Sequence, residues 1–92
     1  MIVSFTHRGL KRFFLQGDAS RLPQDMINRI DTLLTKLHAS ATIQEMDMHS
    51  YHLHELKGDR KGTWSVTVRA NWRMTFGFEN GQAFDVNLED YH

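Results

Sequence analysis

Near Tyr51, the apolar residues of this 92-residue chain stop recurring at helical spacing and begin to alternate. Backbone geometry sets both periods, about 3.6 residues per helical turn and about two per strand repeat. A single switch of period puts helices ahead of strands and commits the chain to an α+β arrangement, with the helices covering one face of a sheet. Before the switch, Met26, Ile27, Ile30, Leu33, Leu34 and Leu37 make one apolar helical stripe, and Pro23 suits its first turn. Leu10, Phe13 and Phe14 share a face of a shorter helix, with Thr6 as the expected cap and Gly17 as the stop. Met1 to Phe5 reads as a short strand, and Thr42-Ile-Gln-Glu45 as a capping box that opens a brief turn. After the switch, Tyr51 to Leu56 is a candidate strand. Trp64, Val66 and Val68 define the next, and Trp72, Met74, Phe76 and Phe78 the one after it. Asn80-Gly81 is the hairpin turn into the last.

Alternation assigns faces as well as elements. With Trp64, Val66, Val68, Trp72, Met74 and Phe76 toward the helices, Arg69 and Arg73 are expected to point away. In the last strand Phe84, Val86 and Leu88 face the core, while Asp85, Asn87, Glu89 and Tyr91 face out with the arginines. His52 and His54 share a side. A bulge would invert part of this scheme.

The outward face, with the terminal Asp90, Tyr91 and His92, gathers groups that suit phosphoryl chemistry. His54, Lys57, Arg73, Asp90, Tyr91 and His92 could take a proton, return one and hold a pentavalent phosphate. Cleavage of RNA by its own 2′-hydroxyl needs those three services. Imidazole titrates near neutrality, which suits proton transfer. Fixed cations suit charge that grows on phosphoryl oxygens. The same residues admit other readings. His52 and His54 could be polar strand residues, with Arg73 in a surface ion pair. His52 and His54 could also hold a metal together with His49 or His92. Tyr51, Trp64, Trp72 and Tyr91 are candidates for stacking on bases, although both tryptophans fall on the apolar register. The loop Lys57-Gly-Asp-Arg60-Lys61-Gly62 is basic and glycine-flanked, and reads equally as a phosphate contact or a solvated turn.

Size and charge narrow the partners. Residues 1–92 make one small domain with a single core. The absence of cysteine excludes disulfides and thiolate zinc sites. With no basic leader and no apolar run of membrane-spanning length, the chain reads as soluble and cytoplasmic, with no membrane role. Eleven basic residues balance eleven acidic ones, but unevenly: residues 57–73 hold five basic and one acidic, and residues 74–92 hold four acidic and no Lys or Arg. A polyanion would therefore meet a local basic surface on a neutral molecule.

Read as one string, His54-Glu-Leu-Lys57-Gly-Asp-Arg60-Lys-Gly62-Thr-Trp64-Ser65-Val-Thr-Val-Arg69-Ala-Asn71-Trp72-Arg73-Met-Thr-Phe76, followed by Asp90-Tyr91-His92, resembles the HigB toxins of the RelE superfamily. The likeness is strong over residues 51–92 and looser before them, through the opening Ile-Val-Ser-Phe and the Ala41-Thr42 region. The resemblance implies a RelE-like α+β domain, two N-terminal helices on one face of a mainly antiparallel sheet. It implies the toxin of a type II toxin–antitoxin pair, an endoribonuclease that cleaves mRNA in the A site of the 70S ribosome, beside 16S rRNA, with no cofactor or metal. The implied partner is a HigA-type helix-turn-helix antitoxin, through which alone operator DNA would be met. By motif position, His54, Lys57, Asp90, Tyr91 and His92 match the active-site residues, and Arg73 matches an arginine on the sheet. The basic loop and the open face add Arg60, Lys61 and Arg69 as substrate contacts. His92, oriented by Asp90, is the expected base and His54 the expected acid, in labels that could be exchanged. The alternative is a non-catalytic binding module that acts in complex with a DNA-binding antitoxin.

Overall fold

The computed structural model describes residues 1–91, and in it the helices precede the strands as the change of period requires. Helix α1 spans Arg8–Gln16 and α2 spans Ile27–Ala39. Strands β1 (His54–Glu55), β2 (Thr63–Arg69), β3 (Trp72–Glu79) and β4 (Gln82–Asp90) form an antiparallel sheet in that spatial order.

Local chemistry sets the element ends. The cap of α1 is His7 rather than Thr6: its Nδ1 accepts from the Leu10 N–H at 3.1 Å. An accepting ring nitrogen carries no proton, and partial burial pushes the His7 pKa down to match. Gly17 stops α1 as expected, in the left-handed region at φ 72°, with its N–H donating to the Phe13 carbonyl. Pro23 leads a 3₁₀ turn, Gln24–Met26, that runs into α2. The expected capping box is present at Thr42 and Glu45. The Ala41 and Thr42 N–H groups donate to the Glu45 carboxylate and hold its pKa below the usual range.

The core lies between α2 and one face of the sheet. Ile30, Leu33, Leu34 and Leu37 of α2 pack with Val66, Met74, Phe76 and Val86. Each such side chain stabilises the fold by about 1.5–3 kcal/mol relative to exposure. Trp64, Trp72 and Phe78 are half-buried against the same core, so the tryptophans belong to it.

Four further expectations change. Met1 to Phe5 forms isolated parallel bridges along β4, Ile2 opposite Ala83 and Phe5 opposite Val86, and not a regular strand. The Tyr51–Leu56 strand shrinks to His54–Glu55, because His52 adopts left-handed backbone at φ 50° and breaks the alternation. Tyr51 is buried, with the Arg29 guanidinium 4.9 Å from its ring centroid.

The other two are register shifts. Thr67 stands opposite Arg73, but Arg69 stands opposite Trp72, so β2 carries one extra residue there. Directly opposed residues share a face. Arg69 therefore lies on the helix side, where it pairs with Asp25, and not beside Arg73. Likewise Thr75 opposes Asn87 while Gly77 opposes Phe84, so β4 carries an extra residue near Asp85, whose φ is 52°. Phe84 is thereby turned out of the core, and Ala83 takes the buried position.

Candidate active site

The face of the sheet away from the helices is polar. Ser65, Thr75 and Asn87 lie in one row across β2, β3 and β4, and His54 extends that row because it opposes Ser65. The His54 Nδ1 lies 3.2 Å from the His52 carbonyl oxygen. A carbonyl only accepts, so Nδ1 carries the hydrogen and Nε2 is left to exchange protons.

From β1 the chain passes Lys57, makes a 3₁₀ turn over Gly58–Arg60 and returns through Gly62. Two ties hold this loop: Gly62 N–H donates to Glu55 at 2.9 Å, and Leu56 N–H donates to the Thr63 carbonyl at 2.8 Å. Gly62 sits at φ 97°, which a side chain would resist. The loop hangs Arg60 over the sheet, where its two terminal nitrogens donate to Glu89 at 2.9 and 2.6 Å. The Thr75 hydroxyl also donates to Glu89. The Arg60 hydrogen bonds, ahead of the Thr75 one, hold the Glu89 pKa below the usual carboxylate range, and Glu89 raises that of Arg60.

At the other edge of the sheet, β4 continues to Asp90, opposite Trp72 and so, by the rule that places Arg69, on the helix side at the strand's end. Tyr91 N–H then donates to the Asn71 carbonyl at 2.8 Å, so the backbone is still fixed there. The half-exposed Tyr91 ring joins His54, Lys57 and Arg60 in lining an open cleft of about 310 Å³. Residues thirty or more positions apart thus meet around one space. It offers an imidazole nitrogen free to exchange protons, an ammonium, a guanidinium and a phenol.

The remaining expected site residues lie elsewhere. Lys61 lines the two adjoining clefts. Arg73 keeps its register on the open face, but its guanidinium donates to the Ala70 and Trp72 carbonyls at 2.6 and 3.2 Å, at the β2–β3 turn. Arg69 is on the opposite side, as described above. His92, the expected base, lies outside the described residues. His52 and His54 are not alternate strand positions, and the described residues hold no group of three or more His, Cys, Asp or Glu placed to bind a metal ion.

Glu89 and Thr75, which fix Arg60, were not among the expected site residues. Alternation put both on the open face, but nothing in the sequence links them to a loop about thirty residues earlier. Phe84 was missed because the extra residue in β4 near Asp85 turns it from the core side to the open face.

Two comparisons bear on this arrangement. The family model for the RelE-like toxin of type II toxin-antitoxin system HigB matches residues 3–92. Endoribonuclease HigB of Proteus vulgaris is 50% identical over 92 residues, which is 100% of each chain.

Proposed function

The chain belongs to the RelE-like HigB toxins of type II toxin–antitoxin systems, and from that premise we propose that it is an endoribonuclease cutting mRNA in the ribosomal A site. The observation that carries the reading is the cleft where His54, Lys57, Arg60 and Tyr91 converge.

The reaction is a transesterification. The 2′-hydroxyl gives its proton to His92, the role that the family resemblance assigns to it with Asp90 as its orienting partner, and its oxygen attacks the adjacent phosphorus. The bond from phosphorus to the 5′-oxygen breaks, and His54 Nε2 protonates the departing oxygen. The products are a 2′,3′-cyclic phosphate and a free 5′-hydroxyl. The labels of His54 and His92 could be exchanged without changing the balance of the reaction. Lys57 and Arg60 hold the charge that grows on the phosphorane, and Tyr91 stacks on or hydrogen-bonds to the substrate. Arg73, anchored at the β2–β3 turn, meets the RNA backbone farther along, and Lys61 does so from the loop. Arg69 faces the helices and has no part in this scheme. All the acid, base and cation services come from side chains, which is why the reaction is written without a metal.

A type II toxin acts with a cognate antitoxin. The HigA-type helix-turn-helix protein is the proposed partner, and operator DNA is reached only through it.

Inducible expression of the chain alone tests the reading. The wild type should arrest growth and leave mRNA cut within translated frames. A chain lacking Tyr91 and His92 should fold with an unchanged circular dichroism spectrum and cut nothing. Full-rate cleavage by that truncated chain would refute the site. Normal growth with intact mRNA on wild-type expression would favour the non-catalytic module instead.

A further inference from the structure

Beside the cleft lined by His54 lies a larger one, about 440 Å³, and Arg60 borders both. Lys61, Phe84 and Asn87 flank the larger cleft, and Thr75 and Gly77 also line it. Two separate features of the chain put the Phe84 ring there. The bulge near Asp85, at φ 52°, turns residue 84 away from the core. Gly77, directly opposite, leaves the room the ring needs: a Cβ at 77 would lie 2.2 Å from the Phe84 Cε2 and 2.3 Å from its Cζ. Any other residue at 77 would collide with the ring.

The core does not account for this placement. Ala83 fills the buried position that Phe84 would take in an unbulged strand, so the fold gives up part of the burial of a large side chain. What it gains is an aromatic surface, partly exposed, within a polar cleft bordered by the Arg60 guanidinium and the Lys61 ammonium, with the Asp85 and Glu89 carboxylates also in its lining. That combination matches a single-stranded nucleic acid: bases stack on rings, and cations follow the backbone.

We propose that Phe84 is the platform of a nucleobase subsite, taking the base of a nucleotide next to the one that reacts at His54. This rests on the endoribonuclease reading above. Arg60, shared by the two clefts, meets the phosphate between those nucleotides through guanidinium N–H groups other than the two that hold Glu89. The Asn87 amide is within the cleft to hydrogen-bond a base edge. Stacking is tolerant of base identity, so the subsite strengthens binding of any sequence and selects weakly.

The test uses the full chain with ribosomes bearing a defined mRNA, and the variants Phe84→Leu, Phe84→Ala and Phe84→Tyr. Melting temperature serves as the folding control. Leu and Ala should raise the KM for cleavage by about 5- to 100-fold with kcat nearly unchanged, as removal of uniform binding does. Tyr, which keeps the ring, should restore the wild-type KM. A second arm titrates each protein into single-stranded RNA carrying 2-aminopurine at successive positions. Quenching at one position, lost in Phe84→Leu and kept in Phe84→Tyr, supports the subsite. If the wild type cleaves and Phe84→Leu cleaves with the same KM, the subsite is wrong and the nuclease reading stands. If the wild type cleaves nothing yet shows the Phe84-dependent quenching, the nuclease reading fails and the subsite stands. A loss of antitoxin binding in Phe84→Leu with unchanged KM and unchanged quenching would assign the cleft to the partner protein and overturn the proposal.

Discussion

The two faces of the sheet come from the same alternating strands, yet they are organised by different forces. On the helix side, Val66, Met74, Phe76 and Val86 are fully buried against α2, and position follows from the removal of apolar surface from water. On the open side, position follows from directional bonds. Arg60 and Thr75 hold Glu89, Glu55 holds the loop, and the His52 carbonyl orients His54. The first kind of face tolerates apolar exchange at modest cost, while the second depends on donor and acceptor geometry. Stability and chemistry are thereby separated across one layer of strands, and substitutions on the two sides should fail in different ways.

The widest separation is expected between His54 and Phe76. His54→Ala removes an exposed imidazole, so kcat for mRNA cleavage should fall by about 10²- to 10⁴-fold while the denaturation midpoint hardly moves. Phe76→Ala empties a fully buried position and should cost about 3–5 kcal/mol in chemical denaturation, with kcat per folded molecule kept. A His54 variant that lost stability, or a Phe76 variant that lost kcat at full folding, would erase the distinction between the faces. Gly77→Ala should be intermediate. Its Cβ collides with Phe84, so overpacking should cost about 1–3 kcal/mol, and the displaced ring should raise KM as Phe84→Leu does.

The helix face was almost fully legible in the sequence because its determinant is periodic. The stripe from Met26 to Leu37 gave α2, and Trp64, Val66, Met74 and Phe76 fell on the side predicted for them. Residue chemistry at single positions was legible too: Gly17 ends α1, Thr42 and Glu45 make the box, and Asn80-Gly81 turns the last hairpin with both φ values positive. The open face was legible in composition but less so in placement. Each error traces to a residue with left-handed backbone or to a register shift: His52 cut β1 short, the shift beside Arg69 sent that arginine to the helices, and Asp85 moved Phe84 outward. A non-glycine residue at positive φ leaves little trace in a sequence, since it depends on what the neighbouring strands require. Resemblance of motifs supplied His54, Lys57 and Tyr91, which do meet, but not Glu89, which holds Arg60 among them.

The Arg60–Glu89 tie gives a smaller effect with a defined sign in pH. The folded Glu89 pKa is depressed, so its contribution to stability is fully present above the unfolded value and is lost as pH falls through the folded one. Glu89→Gln should therefore lose that contribution at neutral pH and converge on the wild type as pH falls below the ordinary carboxylate range, which flattens part of the acid limb of stability. Cleavage should respond more than stability does, because a freed Arg60 no longer has a fixed place between the two clefts. An acid limb identical in Glu89→Gln and wild type would remove the tie from the account.

The smallest effect should come from Arg69, and it is the sharpest check on which face is which. Arg60 and Arg69 are both arginines paired with a carboxylate, and simple alternation would set Arg69 on the open face beside Arg73. The extra residue in β2 instead pairs it with Asp25 across the helix side, and both partners are more than half exposed there. Exposed pairs contribute about 0–1 kcal/mol and are screened by salt. Arg69→Ala and Asp25→Ala should each shift stability by no more than that, and the double variant should show little coupling. Neither should change KM or kcat for mRNA, since the Asp25 and Arg69 side chains sit behind the sheet from His54. A rise in KM for Arg69→Ala that Asp25→Ala does not share would return Arg69 to the open face and place the bulge wrongly. The same rise in both would instead mean that the helix side also touches the ribosome.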